Sequence, residues 1–289
     1  MSKIQLIAEI GINHNGDVSK ALEMIKCAHE ANWDAVKLQK RNIDAVYSSD
    51  ELSKPRESPF GTTTREQKEG LELGGDEYRE IDGFCKTIGI PWFASAWDIE
   101  SLEFLTAYNP PAHKICSAMI IDLEFLRAVA DQGLLTYIST GASTAPQIFA
   151  AAQIFEDSGC PYVIMHCVMQ YPVSDLNANM FSIKHIDNIF RSCPEHWRNY
   201  RGIGYSGHEE PLNMLPCITA VALGAGWIER HITLDRTDYG SDQAASMEPA
   251  EMAELRELAD KVVQICGDGR IDMMTHEQEA AAKLRAHIK

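Results

Sequence analysis

Residues 5–40 read QLIAEIGINHNGDVSKALEMIKCAHEANWDAVKLQK, and this stretch contains one complete supersecondary unit. An apolar run over 5–10 is followed by Asp17, a residue type that caps helices, and then by a helical pattern to about residue 31. The apolar residues of one helix face are Ala21, Met24, Ile25 and Ala28. A second apolar run covers 35–39. Strand, helix and strand in this order predict a βαβ unit with parallel strands.

The same alternation continues to the end of the chain and predicts six further strands. They cover 91–95, 113–117, 135–140, 162–167, 202–206 and 227–232. Helical patterns cover 78–88, 99–108, 123–132, 146–157, 182–191, 212–223, 249–266 and 277–287. Eight strand–helix units in about 270 residues predict an α/β fold of the (β/α)8 TIM barrel type. An open doubly wound sheet is the alternative, but residues 11–16, GINHNG, lack the GxGxxG spacing that such sheets carry after the first strand.

The predicted organisation is one catalytic barrel over residues 1–270 with a helical extension over 271–289. The polar segment 42–75 contains Pro55, Pro59 and Gly61 and is too long for a plain connector. We therefore expect this segment to form a functional loop or lid over a site.

Composition excludes several classes of function. The formal net charge is -16, with 26 Lys and Arg against 42 Asp and Glu, so the chain lacks the basic face that nucleic acids require. No apolar run approaches the length of a membrane span, and no signal peptide is visible, so we expect a cytoplasmic protein. The eight cysteines are scattered without a CxxC pair and are expected to be free thiols.

Polar or ionisable side chains recur at the C-terminal end of every predicted strand. In a barrel, catalytic groups lie at these ends and in the loops that follow. In chain order they are Glu9, Lys37 with Gln39, Ser95, Lys114 with Ser117, Ser139 with Thr140, His166, Ser206 with His208, and Glu229 with His231. The pattern predicts an active site at this face of the barrel.

The last two strands indicate a metal site. Glu229 and His231 are two residues apart on a strand, so their side chains face the same way. Ser206 and His208 repeat this spacing on the preceding strand, which brings the two histidines together. Two imidazoles and a carboxylate with room for water are typical of an open divalent-metal site. For each histidine alone, a hydrogen-bonded structural role is the alternative, and for the pair we favour metal.

Two lysines at strand ends indicate an anion site. An inward-facing lysine such as Lys37 or Lys114 forms a Schiff base with a carbonyl substrate or binds phosphate. Serines at the neighbouring strand ends favour phosphate binding over a single nucleophile. The alternative is that Glu9 or Glu229 merely neutralises two interior lysines.

Eight short motifs lie along nearly the whole chain. They are 7–16 (IAEIGINHNG), 36–39 (VKLQ), 113–117 (HKICS), 138–141 (ISTG), 166–167 with 171–172 (HC, YP), 204–208 (GYSGH), 228–236 (IERHITLDR), and 241–242 with 245–249 (SD, ASMEP). In sequence and in order these motifs, which span about residues 4–260, resemble those of the sialic acid synthase family.

The resemblance implies a TIM barrel transferase of carbohydrate biosynthesis. It would condense phosphoenolpyruvate with an open-chain aldose, N-acylmannosamine-like or a related modified hexose, to give a 2-keto-3-deoxy nonulosonic sugar acid and phosphate. It also implies a divalent cofactor, Mn²⁺ first and Mg²⁺ or Co²⁺ as alternatives, bound by His208 and His231.

The resemblance further assigns substrate contacts. Phosphoenolpyruvate is matched to Lys37, Ser95, Lys114, Ser117, Ser139 and Ser206, and the sugar side to Glu9, Tyr171, Glu229 and Asp242. Glu9 or Glu229 is expected to move protons as the catalytic residue, with a pKa raised by burial or a negatively charged neighbour.

Three departures from the family pattern bear on the site. Gly207 stands where the family has Asp, and Met169 stands where a polar residue follows the His-Cys motif. The chain ends at Lys289, where family members continue into an antifreeze-like domain, and the helix 277–287 takes that place. We expect an aldose other than N-acetylmannosamine, a separate antifreeze-like partner domain, or cover from 42–75. A homodimer is expected by resemblance only.

Two other functions remain open on the sequence. One is a metal-free Schiff-base aldolase that uses Lys114 or Lys37. The other is a non-catalytic barrel that binds a sugar phosphate or a partner, which the loss of Asp at position 207 favours. Retention of both histidines, both lysines and both glutamates favours the condensing enzyme.

Overall fold

The computed structural model describes residues 3–288, in which ten strands and twelve α-helices follow one another. The strands are β1 Gln5–Gly11, β2 Ala35–Lys40, β3 Pro55–Ser58, β4 Gly61–Thr63, β5 Trp92–Ala96, β6 His113–Ile115, β7 Thr136–Ser139, β8 Tyr162–Cys167, β9 Tyr200–Gly207 and β10 Trp227–His231. The helices are α1 Val18–Glu30, α2 Ile43–Val46, α3 Ser49–Leu52, α4 Thr64–Leu71, α5 Gly75–Ile88, α6 Ile99–Thr106, α7 Leu123–Ala130, α8 Ala145–Asp157, α9 Phe181–Ser192, α10 Leu215–Ala222, α11 Pro249–Cys266 and α12 Gln278–Leu284.

Eight strands close into a parallel barrel in the order β1-β10-β9-β8-β7-β6-β5-β2, while β3 and β4 form a separate hairpin. The predicted TIM barrel is confirmed, and each of the eight predicted strands is a barrel strand. Within residues 3–288, no helix is long and apolar enough to cross a membrane. All eight cysteines are free thiols, as expected.

Two apolar layers hold the barrel together. The larger lies between the strands and the surrounding helices, where outward-facing residues such as Leu6, Ile138 and Ile228 are fully buried. The smaller fills the barrel interior and comprises Ile7, Phe93, Ala112, Tyr137, Val163 and Met165. Because this inner cluster closes the barrel from below, open space is confined to the C-terminal end of the strands.

The segment 42–75 contains regular structure rather than an irregular loop. It holds α2, α3, the β3–β4 hairpin and α4. Asn42, Ser48 and Thr63 each cap a helix with a side-chain oxygen, and Glu66 completes a capping box with Thr63. These local signals explain why a polar stretch forms helices.

Candidate active site

A cavity of about 230 Å³ opens at the C-terminal ends of the barrel strands. All twelve residues that the family resemblance assigned to the site line it, namely Glu9, Lys37, Ser95, Lys114, Ser117, Ser139, Tyr171, Ser206, His208, Glu229, His231 and Asp242. Nine of these twelve are buried, whereas Ser117 and Asp242 are partly exposed and Tyr171 is 48% exposed at the cavity mouth.

The parallel register sets these side chains at one level of the barrel. Glu9 of β1 pairs with His231 of β10 on one side and with Lys37 of β2 on the other. Around the barrel, Ser95 pairs with Lys114 and Glu229 with Ser206. Residues far apart in the chain therefore meet because neighbouring strands end at the same height.

Lys37 lies in an ion pair with Glu9, whose Oε2 is 2.5 Å from the lysine Nζ. Gln39 Nε2 donates to the other Glu9 oxygen at 2.7 Å, and Lys37 Nζ donates to Ser95 Oγ at 3.1 Å. Burial lowers the pKa of Lys37, but the carboxylates of Glu229 and Glu9 outweigh burial and raise it above its ordinary value. Lys37 is therefore a fixed positive charge at neutral pH.

Glu229 accepts from Lys114 Nζ at 2.7 Å and from Ser206 Oγ at 3.0 Å through one oxygen. Burial alone would raise the pKa of Glu229, but Lys114 and Lys37 lower it to about 2. The expectation of a raised pKa is wrong for this residue, because two lysines oppose burial. Its other oxygen, Oε2, is buried and has no hydrogen-bond partner in the described chain.

The two histidines lie side by side, with ring centroids 5.4 Å apart. His208 Nδ1 lies 3.3 Å from the carbonyl oxygen of Val168, to which it donates, so Nε2 carries the lone pair. Burial, and next to it His231, lowers the pKa of His208 well below its ordinary value and keeps the imidazole neutral. His231 Nδ1 is buried without a hydrogen-bond partner among the described residues, 4.0 Å from Asp242 Oδ2.

These two histidines are suited to supply part of the coordination of a divalent ion. A neutral imidazole and a buried ring nitrogen without a partner are what a metal ligand requires. Within residues 3–288, no three His, Cys, Asp or Glu side chains converge closely enough to hold a metal ion alone. An ion here would therefore complete its coordination with water or substrate oxygens, as in open catalytic sites.

The serines supply neutral donors around the lysines. Ser139 Oγ is buried and lacks a hydrogen-bond partner within the described chain, so it is available to a ligand. Ser117 Oγ accepts from the backbone N–H of Gly141 at 3.0 Å and lies 3.4 Å from Cys167 Sγ. Hydroxyls and two lysines in one buried pocket form a cradle for a small anion.

Tyr171 and Asp242 border the histidines at the cavity mouth. The Tyr171 ring lies 4.2 Å from the His208 ring, measured between centroids. Asp242 Oδ1 accepts from the hydroxyl of Ser241, which also lines the cavity. The two residues lie on different loops, so only the fold brings them to one side of the site.

The two departures in sequence have different consequences. A Cβ at Gly207 would lie 2.5 Å from Glu209 Oε2 and 2.6 Å from Tyr205, so the carboxylate of Glu209 occupies the space of a side chain at 207. Met169 lines the cavity and is 47% exposed, which gives the mouth an apolar contact.

The model of the NeuB family matches residues 24–271. The chain belongs to the NeuB family.

Relatives agree with this assignment. The N-acetylneuraminate-9-phosphate synthase of Mus musculus is 34% identical over 96% of this chain and 76% of its own length. The N,N'-diacetyllegionaminic acid synthase of Legionella pneumophila is 29% identical over 98% and 79%. The crystal structure of the N-acetylneuraminic acid synthetase from Leptospira borgpetersenii superposes with a TM-score of 0.86 at 30% identity, covering 99% of this chain and 93% of that one. This NeuB family member is therefore a transferase-type condensing enzyme, as the sequence predicted.

Some cavity residues of this NeuB family protein were not singled out from sequence. On β8 His166 was assigned to the strand end from the sequence, but Cys167 is the residue that faces the cavity. His166 lines a neighbouring cavity, and its Nε2 forms a hydrogen bond with the carbonyl oxygen of Ala178. Strict alternation from the inner residue Met165 would have predicted Cys167. The other cavity residues of this kind are Ile12, Arg41, Tyr47, Lys68, Trp97, Cys116 and Ala118. Tyr47 and Lys68 belong to the segment 42–75, whose length and polarity were the sequence features that indicated a functional segment.

Proposed function

We propose that this enzyme condenses phosphoenolpyruvate with an open-chain aldose to give a 2-keto-3-deoxy nonulosonic acid and phosphate. One observation carries the proposal: an anion cradle of two lysines and four serines shares one cavity with two adjacent histidines. The names of the relatives support it, since they are synthases of N-acetylneuraminate 9-phosphate, diacetyllegionaminic acid and pseudaminic acid.

Phosphoenolpyruvate binds to the cradle in this mechanism. Lys37 and Lys114 neutralise its phosphate and carboxylate, and the hydroxyls of Ser95, Ser117, Ser139 and Ser206 donate hydrogen bonds. Lys37 pairs with Glu9, and Lys114 pairs with Glu229. Each ammonium has three N–H donors, so donors remain for a phosphate or carboxylate in the same cavity.

His208 and His231 would hold the divalent ion, Mn²⁺ in our proposal, whose chemistry is to polarise the aldehyde oxygen as a Lewis acid. Tyr171 and Asp242 orient the aldose beside them. The C3 carbon of phosphoenolpyruvate attacks the aldehyde carbon, and the new hydroxyl takes up a proton. Water then adds at C2, and cleavage of the C–O bond releases phosphate.

Glu229 is the better of the two carboxylates for accepting the proton of that water. It is ionised, and its Oε2 is free of hydrogen bonds to the described residues. Both Glu9 oxygens are engaged, one by Gln39 and the other by Lys37. A base must reach its proton through an available lone pair, which favours Glu229.

The Schiff-base aldolase is the weaker candidate. A lysine nucleophile must lose its proton, and the carboxylates around Lys37 raise its pKa instead. Lys114 is held against Glu229 at 2.7 Å. Both lysines are better suited to bind anions.

Phosphate release from phosphoenolpyruvate, measured with Mn²⁺ across a panel of N-acylated hexosamines, their 6-phosphates and plain aldoses, tests the proposal. We expect release that requires both metal and one aldose class. His208→Ala should lower kcat/KM by about 100-fold or more and reduce Mn²⁺ binding measured by electron paramagnetic resonance. His29→Ala, at an exposed position on α1, is the control. Metal-independent release, or substrate trapping by borohydride, would replace this proposal with the aldolase.

A further inference from the structure

Four lysine and arginine side chains line the active-site cavity, namely Lys37, Arg41, Lys68 and Lys114. Three of them are neutralised: Lys37 by Glu9, Arg41 by Glu72 and Lys114 by Glu229. Within the chain from 3 to 288, Lys68 has no carboxylate oxygen within 4.0 Å of its Nζ. Among the cavity cations of the described chain, Lys68 is therefore the one without a carboxylate partner.

Lys68 is held in place by aromatic contact rather than by an ion pair. It lies in the middle of α4 and is half-buried, with Nζ 5.0 Å from the centroid of the Tyr47 ring. An ammonium over an aromatic face keeps its hydrogen-bond donors available while its position is restricted. The side chain is thus directed into the cavity without being neutralised.

The helix that carries Lys68 is packed directly on the barrel. A Cβ at Gly16, in the loop after β1, would lie 2.1 Å from the carbonyl oxygen of Gly70, and Gly16 has φ +71°. Only glycine permits this backbone approach at that conformation. Phe60 packs against Gly70 and makes an edge contact with Tyr239 at 6.2 Å between centroids. The segment 42–75 is therefore a fixed wall of the cavity.

Arg41 adds a second, buried cation to this wall. Its guanidinium lies 4.7 Å from the Trp97 ring centroid, and its side chain is 4% exposed. One carboxylate, that of Glu72, is shared by Arg41 and Lys40. Arg41 and Lys68 lie outside both the histidine pair and the lysine–serine cradle.

A second anionic group in the cavity would therefore meet Lys68 and Arg41. Phosphoenolpyruvate occupies the cradle, and the aldehyde must lie at the histidines. The end of the aldose opposite its aldehyde carbon is therefore the part that faces Lys68 and Arg41. A phosphate there would gain charge-assisted hydrogen bonds that a neutral hydroxyl lacks.

We propose that Lys68, with Arg41, binds a terminal phosphate of the aldose, so that the enzyme uses a phosphorylated N-acylhexosamine and forms a phosphorylated nonulosonic acid. This inference rests on the proposed function. The alternative source of the phosphate is phosphoenolpyruvate itself, and the kinetic constants separate the two.

The experiment measures kcat and KM for an N-acylmannosamine, for its 6-phosphate and for phosphoenolpyruvate, in the full chain and in Lys68→Gln. We expect the wild type to prefer the phosphorylated aldose by about 100-fold in kcat/KM. Lys68→Gln should raise KM for that aldose by about 10- to 100-fold, a clearly larger change than in KM for phosphoenolpyruvate or in kcat/KM with the neutral aldose. Lys68→Arg should retain most of the preference. Lys54→Gln, an exposed site on the same segment paired with Glu51, is the matched control.

Equal use of the neutral aldose by the wild type, or a Lys68→Gln effect confined to phosphoenolpyruvate, overturns the inference. If no aldose supports phosphate release, the proposed function has failed, and calorimetric titration with N-acylmannosamine 6-phosphate tests Lys68 separately. Binding that is weakened in Lys68→Gln but not in Lys54→Gln supports the phosphate site, whereas binding unaffected by either change refutes it.

Discussion

Glu229 and Arg230 are adjacent on β10, are both buried, and both form ion pairs, yet they face opposite sides of the barrel wall. Glu229 faces the cavity, where it meets Lys114 at 2.7 Å. Arg230 faces α10 and meets Glu209 at 2.6 Å. The comparison separates a buried charge pair that serves a ligand from one that serves the fold.

The outer pair belongs to a network in which Arg230 Nε is the one side-chain polar atom of Arg230 and Glu209 that is buried without a hydrogen-bond partner among residues 3–288. One Glu209 oxygen accepts from Arg230 Nη1 and from Cys217 Sγ, and the other accepts from the hydroxyl of Tyr205 at 2.9 Å. Arg230 Nη2 also donates to the backbone carbonyl of Glu209 at 2.9 Å. Since Glu209 follows His208 and Arg230 precedes His231, this network ties together the two strand ends that carry the histidines.

The inner network leaves more buried polar atoms without partners in the described part of the chain, and these atoms face the cavity. Glu229 Oε2 and Ser139 Oγ are buried without hydrogen-bond partners among the described residues. Unpaired buried polar atoms cost stability unless a ligand satisfies them. This difference indicates that the inner network lowers the stability of the fold in order to keep polar atoms available for a ligand. The outer network adds stability that compensates for this loss.

The largest expected effect is on catalysis at the inner face. Glu229→Gln keeps the shape but removes the proton acceptor, so we expect kcat to fall by about 10²- to 10⁴-fold. The free energy of unfolding should fall by about 1–3 kcal/mol, since the buried Lys114 loses its carboxylate partner but the glutamine carbonyl can still accept its hydrogen bond. Phosphate release and urea unfolding measure the two quantities. A variant that loses stability while keeping its rate would reverse the assignment of the two faces.

The next effect is on stability at the outer face. Arg230→Met leaves the carboxylate of Glu209 buried and unpaired, so the free energy of unfolding should fall by about 3–5 kcal/mol in urea. Adding Glu209→Leu should recover much of the loss, because no unpaired charge remains. If Arg230→Met has the same urea midpoint of unfolding as the wild type, the Arg230–Glu209 pair does not stabilise the fold.

The smallest effect concerns the glycine between the two networks. Gly207→Ala places a Cβ 2.5 Å from Glu209 Oε2, so we expect a loss of about 1–3 kcal/mol in urea unfolding. Gly226→Ala is the control, since a Cβ there meets no atom within 4 Å. Equal stability of the two variants would show that Glu209 does not need the space at 207.

Much of this protein follows from its sequence alone. Apolar β-branched runs alternating with capped helical patterns determined the eight barrel strands, because these periodicities are local properties. The same alternation placed Glu229 and His231 on one face, and eleven of the thirteen strand-end residues that it indicated line the cavity, since parallel strands end at one level. Tyr171 and Asp242 were indicated only by the family resemblance. The alternation failed at β8, where His166 was assigned to the strand end and Cys167 faces the cavity.

Tertiary structure decided the charges and partners. Lys114 and Glu229 are 115 residues apart, so no local pattern predicted that the lysines would lower the pKa of this carboxyl to about 2. Nor could the sequence indicate that Glu209 fills the space beside Gly207, or that Lys68 of the segment 42–75 reaches the cavity without a carboxylate partner in the described chain. Electrostatic interactions depend on distance in space and on burial, and only the closed barrel sets both.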